Sequence, residues 1–230
     1  MSVVALIPAF NEADLIGATV IAARSIRGVD RVLVVDDGST DSTAEVARAA
    51  GAEVLALPDN VGKGAALDTG IAHLAEEIEV LLLLDGDLGQ SAEQGQLLLD
   101  PVSEGRADLV IAAFPRPAGK AGVGLVKGLA RWGIARMGGG FVAQAPLSGQ
   151  RALSARCLAN VTPFAFGYGV EVALTVRALR AGMRVIEIPT TMSHAATGRD
   201  LTGFAHRGQQ FVHVGRALAR LAFERRRTPA

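Results

Sequence analysis

Short runs of Val, Leu and Ile alternate along the first half of the chain with segments of helical spacing. "VVALIP" (3–8) reads as a strand, Glu12 to Arg27 as a helix, and "RVLVVDD" (31–37) as the next strand. "STDSTAEVARAAG" (39–51) predicts a helix capped by Ser39 or Thr40 and stopped at Gly51. Strands are predicted at 53–58, 80–85 and 107–114, and helices at 61–77 and 90–105. Apolar runs without polar alternation, separated by helices, are the pattern of parallel strands buried on both faces, so the fold class is α/β.

The second half is less regular. "PRPAGKAGVG" (115–124) is rich in Pro and Gly and predicts a mobile loop. Helices are expected at 124–140, after "PLSGQRALS" (146–154), at 167–182 and at 201–226, with one strand at 183–189. Trp132, the only tryptophan, is expected to pack in the core of its helix, the alternatives being a wall of an acceptor site or a lipid-facing anchor. No linker separates the halves, so 1–230 is expected to be one domain built from 1–114 and 115–230.

Composition narrows this picture. Half of the residues are hydrophobic and a fifth are charged, which predicts a globular chain. Lys+Arg and Asp+Glu balance at 23 each, so no global charge draws the protein to nucleic acid. Cys157 is the only cysteine and has no internal disulfide partner, which fits a reducing cytoplasm. The N-terminus lacks a basic region and a long apolar stretch, so no signal peptide is expected. No apolar run approaches the ~18 residues of a membrane span.

In open parallel sheets, ligands bind beyond the carboxyl ends of the strands. Asn11 and Glu12, Asp36 and Asp37, Asn60 and Lys63, and Asp85 and Asp87 all follow predicted strands. The run "LLLLDGD" (81–87) thus anchors a central strand and places two acids at its mouth. Carboxylates one residue apart suit Mg2+ or Mn2+, hard cations that also take phosphate oxygens, although Asp-Gly also makes solvated turns. In "VVDDGSTD" (34–41), Asp36 and Asp37 end an apolar strand and Gly38 permits a sharp exit; an acid here can accept hydrogen bonds from a ribose or a base. "NVGKG" (60–64) puts Lys63 at a helix start, where backbone amides favour anions. The Walker A spacing and G-x-G-x-x-G are both absent, which weighs against a P-loop and a dinucleotide dehydrogenase.

"IPAFNE", "VVDDGSTD", "NVGKG" and "DGD", in this order over about the first 90 residues, resemble family 2 glycosyltransferases with the GT-A fold, a Rossmann-like, mostly parallel central sheet flanked by helices. The resemblance implies a nucleotide-diphosphate sugar as donor, UDP-glucose favoured and a GDP-sugar the runner-up. It puts Pro8, Ala9, Phe10, Glu12, Asp36, Asp37, Gly38, Lys63, Asp85 and Gly86 at the nucleotide sugar. Asp87 is implied as the direct ligand of Mg2+ or Mn2+, with Asp85 beside it. Gly86 departs from the Ala or Ser usual between the acids.

"PLSGQRALS" resembles the acceptor-side segment of dolichol-phosphate mannosyltransferase-like enzymes, and "FGYGVEVALTV" the matching stretch of glucosyl-3-phosphoglycerate synthases. The latter group implies His194 as a third metal ligand; by itself His194 reads as an ordinary loop histidine. Glu171 can orient or deprotonate an acceptor hydroxyl, or simply favour a helix start. Gln150 and Arg151 can bind the sugar or an acceptor phosphate, and Arg151 equally suits a helix surface. The acceptor is either a polyprenyl phosphate or a small phosphorylated acid such as 3-phosphoglycerate. Nucleotidyl transfer onto a sugar phosphate and a non-catalytic nucleotide-sugar sensor are the readings from other classes. In the C-terminal helix, Phe211, Val214, Leu218, Leu221 and Phe223 recur at helical spacing among arginines. This predicts packing on the domain or a second subunit, as in a homodimer; the other use is peripheral contact with the inner face of a membrane.

Overall fold

The computed structural model describes residues 2–74, 78–114, 124–164, 169–193 and 201–224, with the backbone alone over 201–210. The first half lays down β1 (Ser2–Ala9), α1 (Ile16–Ser25), β2 (Arg31–Asp36), α2 (Thr43–Ala49), β3 (Glu53–Ala56), α3 (Lys63–Leu74) and β4 (Ile78–Leu83). A 3-10 turn (Gly89–Gln94), α4 (Gly95–Ser103) and β5 (Leu109–Ala113) follow. The second half adds α5 (Gly124–Met137), β6 (Arg151–Ser154), α6 (Ala155–Val161), α7 (Val170–Arg180), β7 (Val185–Pro189) and α8 (Leu201–Phe223).

Seven strands form one sheet in the order β3-β2-β1-β4-β6-β5-β7. Every pairing is parallel except those of β6, which runs antiparallel between β4 and β5. The leucine run is explained by this sheet. Alternate residues of β1, β2 and β4 enter opposite cores: Ala5, Ile7, Val34, Leu82 and Leu84 pack under α1 and α4. Val4, Leu6, Val35, Leu81 and Leu83 pack under α3, α6 and α7. A strand covered on both faces has no solvent side to be polar.

Two expectations are corrected here. "PLSGQRALS" does not simply lead into a helix; its last four residues form β6, with Arg151 opposite Leu83 on one side and Ile111 on the other. Arg151 is therefore no surface helix residue but 1% exposed in the middle of the sheet. Four residues between two strands give too little pattern to reveal a strand. Trp132 is also misplaced by the sequence reading: it is 59% exposed on α5 rather than packed in a core. Residues 115–123 of the expected loop, the Phe166–Tyr168 part of "FGYG" and His194 lie outside the described residues.

Candidate active site

The carboxyl ends of β1, β2 and β4 share one rim, and their loops are laced together by side chains. Asn11 has a left-handed backbone, φ 56°, which asparagine tolerates better than most residues. Its side-chain oxygen accepts from Thr40 N at 2.8 Å, and its own N–H donates to Ser39 Oγ at 2.9 Å. The Glu12 N–H donates to Thr43 Oγ1 at 2.8 Å. Ser39 and Thr40 thus serve the β1–α1 loop instead of capping α2, whose N-cap is Ser42. Phe10 stands 44% exposed at this mouth, whereas Ala9 is buried and its carbonyl accepts from Asp37 N at 2.8 Å.

Asp36 and Asp37 are both buried, and each holds backbone. Asp36 Oδ1 accepts from Ser39 N at 3.0 Å. The two oxygens of Asp37 accept from Val61 N at 2.8 Å and Gly62 N at 2.9 Å. The anion seated before α3 is therefore Asp37 itself, and it fixes the loop that delivers Lys63. Gly38 is required on steric grounds: at φ 74° a Cβ would lie 2.6 Å from the carbonyl carbon of Asp59.

Lys63 opens α3, where the helix dipole disfavours a cation. Two carboxylates offset this. Its Nζ lies 2.7 Å from Asp85 Oδ1 and 3.2 Å from Glu171 Oε1. Burial alone would lower the pKa of the Lys63 ammonium, but these two anions overcome it and hold the group above the usual lysine range. The other Asp85 oxygen, Oδ2, accepts from Gln150 Nε2 at 2.5 Å. Antiparallel β6 makes this contact: it begins opposite Leu83, so the residue before Arg151 faces the turn after β4. Gly149 lies against the same ion pair, where a Cβ would sit 2.6 Å from Lys63 Nζ and 2.7 Å from Asp85 Oδ2.

Beneath this, Arg151 ties two elements. Its Nε donates to Ser148 O and its Nη1 to Thr175 Oγ1, both at 2.8 Å, and Thr175 in turn donates to Glu171 O at 2.8 Å. Burial pushes the guanidinium down to about 10, opposed by Glu171 and Glu187, so it remains charged at neutral pH. Glu171, in the first turn of α7, is nearly buried at the rim.

Thr19, on α1, was not singled out by sequence reasoning. Its buried hydroxyl donates to Gly86 O and accepts from Gly89 N, both at 2.8 Å, and so staples the Asp85–Gly89 turn to the helix. A threonine on an amphipathic helix gives no sequence signal for this role. Gly86 is tightly placed but not obligatory: a Cβ would meet Ala9, Glu12 and Ile16 at 3.3–3.5 Å, a fit that small shifts allow. Downstream of β7, Gln94 exchanges hydrogen bonds with Thr191, and Ser91 with Ser193. The segment leading to residue 194 is thereby pinned to the turn that follows Asp87.

The donor chemistry of this turn fits a hard divalent cation. Asp85 and Asp87 offer carboxylate oxygens, while among the described residues no group of three or more His, Cys, Asp or Glu is placed to hold a metal. Such a set suits a Mg2+-like ion bound by one or two carboxylates together with ligand phosphates. A recess of about 340 Å3 lies elsewhere, lined by residues including Thr162, Arg177, Arg180 and Glu224, and none of the rim residues lines it.

The family model for glycosyl transferase family 2 matches residues 4–128. The chain belongs to this family. The undecaprenyl-phosphate mannosyltransferase of Micrococcus luteus is 31% identical over 237 residues, 94% of this chain and 93% of that protein. Glycosyltransferase AglJ of Haloferax volcanii is 32% identical over 204 residues, 85% of this chain but 64% of that one. Among solved structures, glucosyl-3-phosphoglycerate synthase from Mycobacterium tuberculosis, in complex with Mg2+ and UDP, superposes with a TM-score of 0.78 at 28% identity, covering 96% of this chain and 79% of that one. A second complex of that enzyme carries Mn2+, UDP and phosphoglyceric acid and also gives a TM-score of 0.78. This family 2 glycosyltransferase therefore shares the GT-A fold with proteins whose complexes hold UDP and Mg2+ or Mn2+. Among the described residues no helix is long and apolar enough to cross a membrane.

Proposed function

We propose that this family 2 glycosyltransferase moves a hexose from a UDP-sugar to a polyprenyl phosphate, using Mg2+ or Mn2+, at the cytoplasmic face of a membrane. The observation that carries the transferase reading is the convergence of Lys63 and Gln150 on Asp85, with Glu171 on the same Lys63 ammonium. A cation bound at the Asp85-Gly86-Asp87 turn neutralises charge on the departing diphosphate. Asp87 would hold it, as the family resemblance implies, with Asp85 beside it accepting from Lys63 and Gln150. His194 remains in the proposed donor set because the residue before it is hydrogen-bonded to Ser91, in the turn that follows Asp87.

The protein's own groups then divide the work. Phe10 offers an aromatic edge at the mouth of β1, and Pro8, Glu12, Asp36 and Asp37 shape the base and ribose side. Lys63, Gln150 and Asp85 form one hydrogen-bonded unit that fixes the sugar side of the rim. Glu171 orients the acceptor; a phosphate acceptor is already anionic and needs little deprotonation. Arg151 holds Ser148 and α7 in register as a positioning residue. The polyprenyl acceptor is favoured by the undecaprenyl-phosphate mannosyltransferase of M. luteus, which is 31% identical over 94% of this chain. Transfer to 3-phosphoglycerate is the second reading, supported by the structural match.

A thermal-shift panel of nucleotide sugars with and without Mn2+ tests the donor half. The matching donor at about 100 Kd adds ~2.7 kcal/mol of stability by mass action. Asp87→Ala is expected to abolish the Mn2+-dependent increment and leave the apo melting temperature unchanged within 2–3 degrees or so. An increment that survives in Asp87→Ala refutes the metal assignment. Labelled donor then assigns the acceptor: counts in the organic phase identify polyprenyl phosphate, counts on soluble phosphoglycerate the second reading. Binding without transfer to either leaves a sensor.

A further inference from the structure

The neutral total charge conceals a strong segregation. Residues 1–108 hold six Lys and Arg against nineteen Asp and Glu, whereas residues 109–230 hold seventeen against four. No acid occurs between Asp108 and Glu171. Within the basic half, α5 and α8 contain no Asp or Glu at all, but carry Lys127, Arg131, Arg136, Arg207, Arg216 and Arg220.

These two helices pack on each other and on α7 through one seam of small and aliphatic residues, including Ala130, Ile134, Val214, Leu218 and Leu221. Gly133 admits the Leu218 side chain at the crossing; a Cβ there would lie 2.3 Å from it. A surface helix ordinarily turns a polar stripe away from such a seam. Here the outward positions are apolar and basic. On α5, Leu125 is 82% and Trp132 59% exposed, one heptad apart, with Arg136 exposed one turn on. On α8, Val212 and Phe223 are 48% and 89% exposed, with Arg216 and Arg220 exposed between them.

Large apolar side chains interleaved with cations, with no anion on either helix, match the boundary between headgroups and acyl chains of an anionic bilayer. Tryptophan is favoured at that depth. We propose that α5 and α8 together form a docking face for an anionic membrane surface. A second copy of the chain fits less well, because a two-fold contact through this face would set like charges against each other. Through its buried side, α8 also packs near the rim. Around Gly169, two residues before Glu171, a Cβ would touch Ala217 Cβ at 2.5 Å and His213 O at 3.1 Å, so the α8 backbone packs directly on the start of α7. The inference is drawn from this surface alone and stands or falls independently of the transfer reaction.

Trp132, as the only tryptophan, makes the test direct. Intrinsic fluorescence and co-sedimentation are followed as the protein is titrated with phosphatidylcholine vesicles, with or without phosphatidylglycerol. The expected result is a blue shift and co-sedimentation only with phosphatidylglycerol. Both are lost near ~1 M salt, where the Debye length is about 3 Å. Leu125→Ser with Phe223→Ser, and separately Arg216→Glu with Arg220→Glu, are expected to weaken vesicle binding at least ~10-fold while UDP-sugar binding is unchanged. An unchanged emission with no co-sedimentation on anionic vesicles overturns the proposal. So does a blue shift that grows with protein concentration in the absence of lipid, which would assign the face to a second copy.

Discussion

Gly149 shows how much one missing side chain decides. Its backbone lies where a methyl group would press on both partners of the Lys63–Asp85 ion pair. Its φ is not in the left-handed region, so alanine fits the backbone and only the ends of two side chains must move. Gly149→Ala is therefore expected to leave stability within ~1 kcal/mol of the parent. Displacing Lys63 from Asp85 should nevertheless lower kcat/KM at least ~10-fold, equivalent to ~1.4 kcal/mol of transition-state stabilisation. Urea denaturation alongside steady-state kinetics separates the two effects; an equal loss of stability and activity would mean that Gly149 is only a packing residue.

At the scale of elements, the site depends on joints between strands and helices more than on any one motif. β6 brings Gln150 to Asp85 because it enters the sheet against the direction of its neighbours. Thr19 joins α1 to the turn after β4 through a single buried hydroxyl. Thr19→Val keeps the shape and removes the hydroxyl, leaving Gly86 O and Gly89 N without it in a buried setting. The expected cost is ~1–3 kcal/mol in unfolding free energy, because unsatisfied buried backbone groups bear their desolvation. Affinity for UDP with Mn2+ should fall more than this stability change alone requires, since the turn carrying Asp87 is loosened. Isothermal titration on the folded variant checks this; unchanged nucleotide affinity would show that the staple supports only the fold.

For the whole molecule, cation and nucleotide should bind as a coupled pair. A Mg2+-like cation is ordinarily held by one or two carboxylates together with substrate phosphates, and Asp85 and Asp87 are carboxylates of that kind. Mn2+ alone is expected to produce no measurable thermal shift at micromolar concentration. With UDP present, each ligand should tighten the other by the same factor, as linkage requires. Titrating each ligand at several fixed concentrations of the other measures that factor. Tight Mn2+ binding without nucleotide would point instead to a resident site completed by residues such as His194.

The sequence by itself determined the α/β class, the order of most strands and helices, and the motifs that belong to the rim. Those features are local: an apolar run buried on both faces, a helix period, a glycine at a turn, and acids placed directly after strands. Tertiary structure decided what the motif residues touch. In the chain Asp37 reads as an acid placed for a ribose or base, and the fold adds that its oxygens hold the amides of Val61 and Gly62; Ser39 and Thr40 read as caps, yet they brace Asn11. Arg151 and Trp132 exchanged their expected places, one into the sheet and the other onto the surface. The partners of Asp37, Ser39 and Thr40 lie 24 to 29 residues away, and Thr175 lies 24 from Arg151; no local pattern encodes which of several chemically equivalent partners the packed sheet will bring within hydrogen-bond reach.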